Sequence, residues 1–281
     1  MVNFAYRAAR LQGKLTRSLY QKIIPQIVKK PITQTPKIKA VVYALSCERD
    51  FPEQVVSLRS FLNHVGIPEQ FIIISDGYSA KSCQLLQQIH PCVKIIPLNE
   101  FIGTKLPAKV YHYAQIQSMG KKLATLLSIP HHTVSIYTDS DILFFPGASA
   151  LIPLIESSAC HSYYLPDSNP AFDFRLIHHP QEAENPINGG FILFKKAPDW
   201  TEGIERFLNL PEEPNYFTEQ TIVHLTMHQD CARALPSQHY IMGREDEFIY
   251  LDQYARQKDV ILRHYVTPVR HKFWGNFEFL F

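Results

Sequence analysis

A chain of 281 residues, 46% hydrophobic with 18 Phe and 14 Tyr, can bury a sizeable core, which excludes disorder over most of its length. Five cysteines, odd in number and without a C-x-x-C pair, exclude a disulfide scaffold or zinc knuckle and fit a reducing, cytoplasmic setting. The net charge of +2 excludes a strongly basic nucleic-acid binder, and no run of about 18 apolar residues suggests a membrane span.

The charge is unevenly placed. Residues 1–47 hold nine basic side chains and no acidic one, while the rest of the chain holds 19 basic against 26 acidic. Phe4, Ala8, Leu11, Leu15 and Leu19 recur at helical spacing, and Arg7, Arg10, Lys14 and Arg17 form a second stripe. A basic amphipathic helix of this kind can lie on an anionic membrane surface, or dock on the protein body with its basic face in water. Gly13 weakens it as a helix. The acidic body repels phosphate backbones, so no nucleic acid partner is expected. No unbroken apolar core of a secretory signal opens the sequence. Pro31 to Lys37, with two prolines and two threonines, reads as a linker, which divides a basic arm and linker (1–37) from a body (38–281).

From Ile38 onward strand and helix patterns alternate. Ala40–Leu45 is a continuous apolar run, as a strand buried on both faces requires. Val55, Leu58, Phe61 and Leu62 follow at helical spacing. Phe71–Ile74 is a second buried strand closed by Ser75-Asp76-Gly77; Leu85, Leu86 and Ile89 suggest a helix, and Val93–Leu98 a third strand. One long helix is expected around Tyr113 to Leu127. Such alternation implies crossover units and a mainly parallel sheet flanked by helices, in a single α/β domain.

Val134–Thr138 is the next strand, and it ends on Asp139-Ser140-Asp141 before a second apolar run, Ile142–Phe145. Two carboxylates flanking one small residue repel each other, and a divalent cation with a taste for oxygen ligands, Mg²⁺ or Mn²⁺, relieves that repulsion. A metal held this way keeps positions open for diphosphate oxygens, which points to nucleotide-sugar chemistry. A turn with two solvated aspartates is the simpler reading of the tripeptide alone.

Further along, Asn188-Gly189-Gly190 opens the apolar run to Phe194. Its glycines allow close backbone approach to a ligand, and its amide can meet sugar hydroxyls; a turn into an edge strand is the alternative. Thr218-Glu219-Gln220 precedes an apolar helical patch and also reads as a helix start with Thr218 as N-cap. Arg270-His271-Lys272-Phe273-Trp274 combines a metal ligand, two cations and a ring platform, with His264 as the rival ligand.

In that order, Lys122, Asp139-Ser140-Asp141, Asn188-Gly189-Gly190, Glu219-Gln220 and the His-Lys-Trp cluster resemble the motifs of retaining glycosyltransferases of the GT-A fold. The group includes glycogenin and bacterial lipopolysaccharide galactosyltransferases. Gly189 stands where the group usually has Ser and Glu219 where it usually has Asp, and the His-to-Lys spacing is compressed. The resemblance implies a GT-A-like, Rossmann-related sheet and transfer of a sugar from a nucleotide-diphosphate donor, with retention, to a carbohydrate, lipid or protein acceptor. It implies Asp139, Asp141 and His271 as metal ligands, and Lys272 and Lys122 as cations near the phosphates. Asn188 and Glu219 would contact the donor sugar and Gln220 would face the anomeric centre. Gly189, Gly190 and Trp274 would line the donor. On fold grounds the base pocket would lie near Leu45, Ser46 and Asp76. A sugar nucleotidyltransferase would need a Gly-rich loop after the first strand, which Ser46–Asp50 lacks. A non-catalytic carbohydrate-binding protein is the alternative of another class.

Overall fold

The structure, a computed structural model, describes residues 3–33 and 35–276; Gln34 of the expected linker, and residues 1–2 and 277–281 of the expected arm and body, lie outside the described residues. The basic arm forms α1 (Phe4–Ile27), started by Asn3, whose side chain accepts the Tyr6 N–H. One face of α1 carries Tyr20, Ile24 and Ile27 into the main core, so the arm shares the apolar interior of the body.

The body begins with β1 (Lys37–Cys47), α2 (Phe51–His64), β2 (Ile67–Asp76), α3 (Ala80–Gln87) and β3 (Val93–Pro97). Next come α4 (Leu98–Phe101), α5 (Ala108–Ile116), α6 (Ser118–Ser128), β4 (Ser135–Thr138), β5 (Ile142–Phe144) and α7 (Leu151–Glu156). The chain continues through β6 (Tyr163–Pro166), β7 (Ile187–Phe194), α8 (Thr201–Leu208), α9 (Thr218–Gln229), β8 (Arg233–Ala234), β9 (Tyr240–Ile241) and β10 (Leu262–His264).

Seven strands form the main sheet in the order β3-β2-β1-β4-β7-β6-β8. The β3-β2-β1-β4 half is parallel, while β7 runs antiparallel to both β4 and β6. From β1 the chain winds outward to β2 and β3, then returns to the other side of β1 as β4. That reversal opens a crevice at the carboxyl ends of β1 and β4, where open α/β sheets bind ligands. Main-sheet strands β1, β2, β4 and β7 bury nearly all their apolar side chains, because helices cover both faces. Phe61 of α2 sits edge-on to Phe71 of β2 and Phe144 of β5, tying the first layer to the sheet.

Two expected elements change. The long helix around Tyr113 to Leu127 is two helices, because Gln117 adopts an extended backbone at φ −141°, ψ 139°. The corner closes tightly since a side chain at Gly120 would strike the Tyr113 carbonyl. The Asn188 strand is central rather than at the edge: β7 is buried along its whole length between β4 and β6. Thr218 opens α9 without capping it; its Oγ1 accepts the Asn215 N–H and donates to Asp173.

Candidate active site

β4 ends at Thr138 and delivers Asp139 to the crevice, where the Asp139 N–H donates to the Gly190 carbonyl of β7 (2.8 Å). A small second sheet holds the other half. In it β10 runs antiparallel to β5 with His264 opposite Ile142, and the Tyr265 N–H donates to the Asp141 carbonyl (2.9 Å). This register sets His264 beside the acidic pair: its Nε2 is 3.1 Å from Asp141 Oδ1 and 3.7 Å from Asp139 Oδ2. Ligand atoms of Asp139, Asp141 and His264 all lie within 4.8 Å of one another.

The protonation of His264 follows from its neighbours. Gly190 N–H donates to Asn188 Oδ1 (2.9 Å), so that atom is the amide oxygen. The same oxygen is 2.8 Å from His264 Nδ1, which therefore carries a proton and donates it. Nε2 is left to present a lone pair toward two carboxylates, an arrangement that needs a cation or a second proton. Two carboxylates and an imidazole, with the second ring nitrogen held by an amide, form a set that could hold a divalent metal ion. Gly190 makes the space: a side chain there would strike the His264 ring and the Asn188 amide.

Other charges neutralise the pair. Lys122 Nζ donates to Asp139 Oδ2 (2.8 Å), the Tyr137 hydroxyl donates to Asp139 Oδ1 (2.9 Å), and Arg270 lies 3.7 Å from Asp141 Oδ2. Burial works against the Asp141 anion, yet Arg270, Lys122 and, when the second proton sits on Nε2, His264 hold its carboxyl below the usual range. Glu219, at the start of α9, is 2% exposed and its Oε1 has no hydrogen-bond partner. Burial pushes its carboxyl up to about 7, with Lys122 opposing and Asp139 adding. Asp167, which sequence reasoning missed, accepts from both Asn188 Nδ2 (3.3 Å) and Gln220 Nε2 (3.2 Å). It follows β6 directly, but its loop of Pro, Asp, Ser and Asn carries no periodic signal.

These side chains line a cleft of about 630 Å³. Leu45 and Ser46 at the end of β1, Asp76 at the end of β2, Lys122, Asn188, Gly189, Glu219 and Gln220 all border it. Behind its wall the Tyr78 hydroxyl donates to Ser46 Oγ (2.7 Å), and at the cleft Lys121 donates to both Asp76 oxygens (2.9 and 2.7 Å).

Three expected residues lie elsewhere. His271 is in a short 3₁₀ turn (Arg270–Gly275) against α1, edge-on to Tyr6, with Nδ1 donating to the Pro268 carbonyl (3.0 Å). His264 takes the place that His271 was expected to hold, because strand pairing brings position 264 to Asp141 and the turn carries 271 away. Lys272 is buried and donates to the carbonyls of Ile249 (2.7 Å) and Leu251 (2.8 Å), so Arg270 is the cation of that segment at the cleft. Trp274 packs on Tyr20 of α1 and donates to Glu53 Oε1 (2.9 Å), outside the cleft lining. The one local signal near His264 is Val260-Ile261-Leu262, a short apolar run that stops two residues before it.

No protein-family model and no curated protein matches this chain. Solved structures do. A galactosyltransferase, LgtC, in complex with donor and acceptor sugar analogues superposes with a TM-score of 0.52 at 14% identity, over 85% of this chain and 93% of that one. The bifunctional glycosyltransferase WbbM gives 0.55 at 14% identity over 89% of this chain and 50% of its own. The glycosyltransferase GlyE of Streptococcus pneumoniae TIGR4 gives 0.52 at 14% identity, over 85% and 59%. Sheet order, crevice and these superpositions agree: the chain has the GT-A fold of these glycosyltransferases.

Proposed function

We propose that the protein is a metal-dependent glycosyltransferase that moves a sugar from a nucleotide-diphosphate donor to a carbohydrate, lipid or protein acceptor, with retention. The observation that carries this reading is the grouping of His264 Nε2 with Asp139 and Asp141, 3.7 and 3.1 Å away, as one possible metal-ligand set. The superposition on a galactosyltransferase solved with donor and acceptor sugar analogues supports a sugar donor in the same crevice.

In this reading Asp139, Asp141 and His264 hold Mn²⁺ or Mg²⁺, which supplies Lewis-acid stabilisation to the departing diphosphate. Asn188 fixes the His264 tautomer. Lys122 and Arg270 add positive charge beside the phosphates. Leu45, Ser46 and Asp76 border the base, and Gly189 lets the backbone approach the donor, while Gly190 makes room for the His264 ring. The unpartnered Glu219 oxygen takes a hydroxyl donor from the sugar, which turns a buried, unpaired acceptor into a paired one. Asp167 holds the Gln220 amide at the reacting side of the sugar. Cytoplasmic residence is supported by five cysteines that form no disulfide, and peripheral membrane contact by the outward face of α1.

The test is donor hydrolysis or transfer across a panel of nucleotide sugars, with and without manganese, in the native protein and in Asp141→Ala. Manganese-stimulated turnover that the substitution abolishes is expected. Metal-independent turnover that survives it would sink the reading.

A further inference from the structure

Helix α1 has two apolar faces. Ala9, Gly13, Tyr20, Ile24 and Ile27 are buried against the body. Gly13 is there for contact rather than as a weak point, since a side chain at it would meet the His271 carbonyl at 2.5 Å. On the other side Phe4, Leu11, Leu15 and Leu19 are 58 to 79% exposed, and Ile23 continues the row at the same four-residue step. Arg7, Arg10, Lys14 and Lys22 are exposed on the same helix, which holds no acidic residue. From Phe4 to Ile23 the row extends about 30 Å.

A second segment extends the patch. Phe248, Ile249, Tyr250 and Leu251 are 40 to 57% exposed, and they abut the first turn of α1: Asn3 donates to the Phe248 carbonyl (3.3 Å) and Tyr6 packs on the Phe248 ring. The loop's backbone is clamped, because buried Lys272 donates to the Ile249 and Leu251 carbonyls and the Ile249 N–H donates to the Asp246 carbonyl. A fixed backbone thus presents four apolar side chains to water. Together the helix and loop hold nine of the fourteen exposed large apolar residues among the described residues. An apolar surface so concentrated, on an element docked by its other face, marks an interaction site.

We propose that the outward face of α1 and the 248–251 loop together seat the protein on an anionic lipid bilayer, the leucine row and loop entering the headgroup boundary and the four cations meeting lipid phosphates. This deepens the membrane contact named above and is independent of sugar transfer. A protein partner would need acidic complementarity to a helix of one sign, whereas an anionic leaflet offers that charge at every point along its length. The same cleft residue Arg270 also borders a groove lined by Arg10, Lys14 and Arg17, so the seat lies beside the mouth of the cleft.

The experiment is co-sedimentation of the full chain with phosphatidylcholine vesicles, with and without phosphatidylglycerol, at low and high salt. Wild type pelleting with the anionic vesicles, less so at high salt, is expected. Leu15→Glu with Leu19→Glu, Phe248→Ser with Leu251→Ser, and Arg7→Glu with Lys14→Glu should each weaken it about tenfold or more. Unfolding temperatures, which surface changes leave in place, confirm that each variant is folded, and hydrolysis of a nucleotide sugar in solution reads the transferase assignment separately. Equal pelleting with neutral and anionic vesicles, or undiminished binding by the helix or loop variants, overturns the proposal. So does a dimer in sedimentation velocity that the same substitutions dissociate.

Discussion

Asn188 joins two functions in one amide. Its oxygen fixes the His264 proton on Nδ1, and its nitrogen reaches Asp167, which also holds Gln220. Groups that orient a metal-binding imidazole commonly change affinity 10- to 100-fold when lost, so Asn188→Ala should weaken Mn²⁺ binding by about that range in calorimetric titration. An unchanged affinity would separate Asn188 from the metal. Glu219 gives a pH test. Its native carboxyl titrates at about 7 against an ordinary 4.5, so between these values the folded protein keeps a proton that the unfolded chain has released. Its contribution is therefore full below pH 4.5 and is lost as pH rises to about 7. In urea unfolding of the metal-free protein, Glu219→Gln should gain on wild type across that window. Parallel pH profiles would contradict the burial argument.

At the scale of elements, what was legible in the sequence is what is local. The buried runs of β1 and β2 and the Asp139-Ser140-Asp141 ending of β4 announce themselves within ten residues of chain, and alternation supplies the parallel half of the sheet. His264 was ambiguous because its place depends on the pairing of β10 with β5, more than a hundred residues apart, and no local pattern states that register. The docked face of α1 was hidden for a related reason. A helix with apolar side chains on two faces reads as one stripe until its neighbours are known. Trp274 belongs to that docking, joining Tyr20 of α1 to Glu53 of α2. Trp274→Phe keeps the ring but removes the N–H donor to a buried carboxylate, which should cost about 1–3 kcal/mol in urea unfolding. Donor binding should be unaltered; a selective loss of donor affinity at full stability would return Trp274 to the donor site.

For the whole molecule, the sheet's reversal at β1 and β4 is what gathers carboxylates, cations and amides from at least seven separate segments into one cleft. A ligand that binds only this assembled cleft stabilises the fold by mass action, about 2.7 kcal/mol at a hundred times its Kd. A nucleoside diphosphate given with Mn²⁺ should therefore raise Tm in a concentration-dependent way, and no rise with any common base would contradict the cleft's assignment as a donor site. The most direct measurement is Mn²⁺ titration, followed by calorimetry or by the paramagnetic signal of the free ion, in wild type, His264→Ala and His271→Ala. The account predicts one strong site in wild type, loss of affinity by at least about tenfold in His264→Ala, and wild-type affinity in His271→Ala. A His264→Ala protein that still binds Mn²⁺ as tightly as wild type would contradict it.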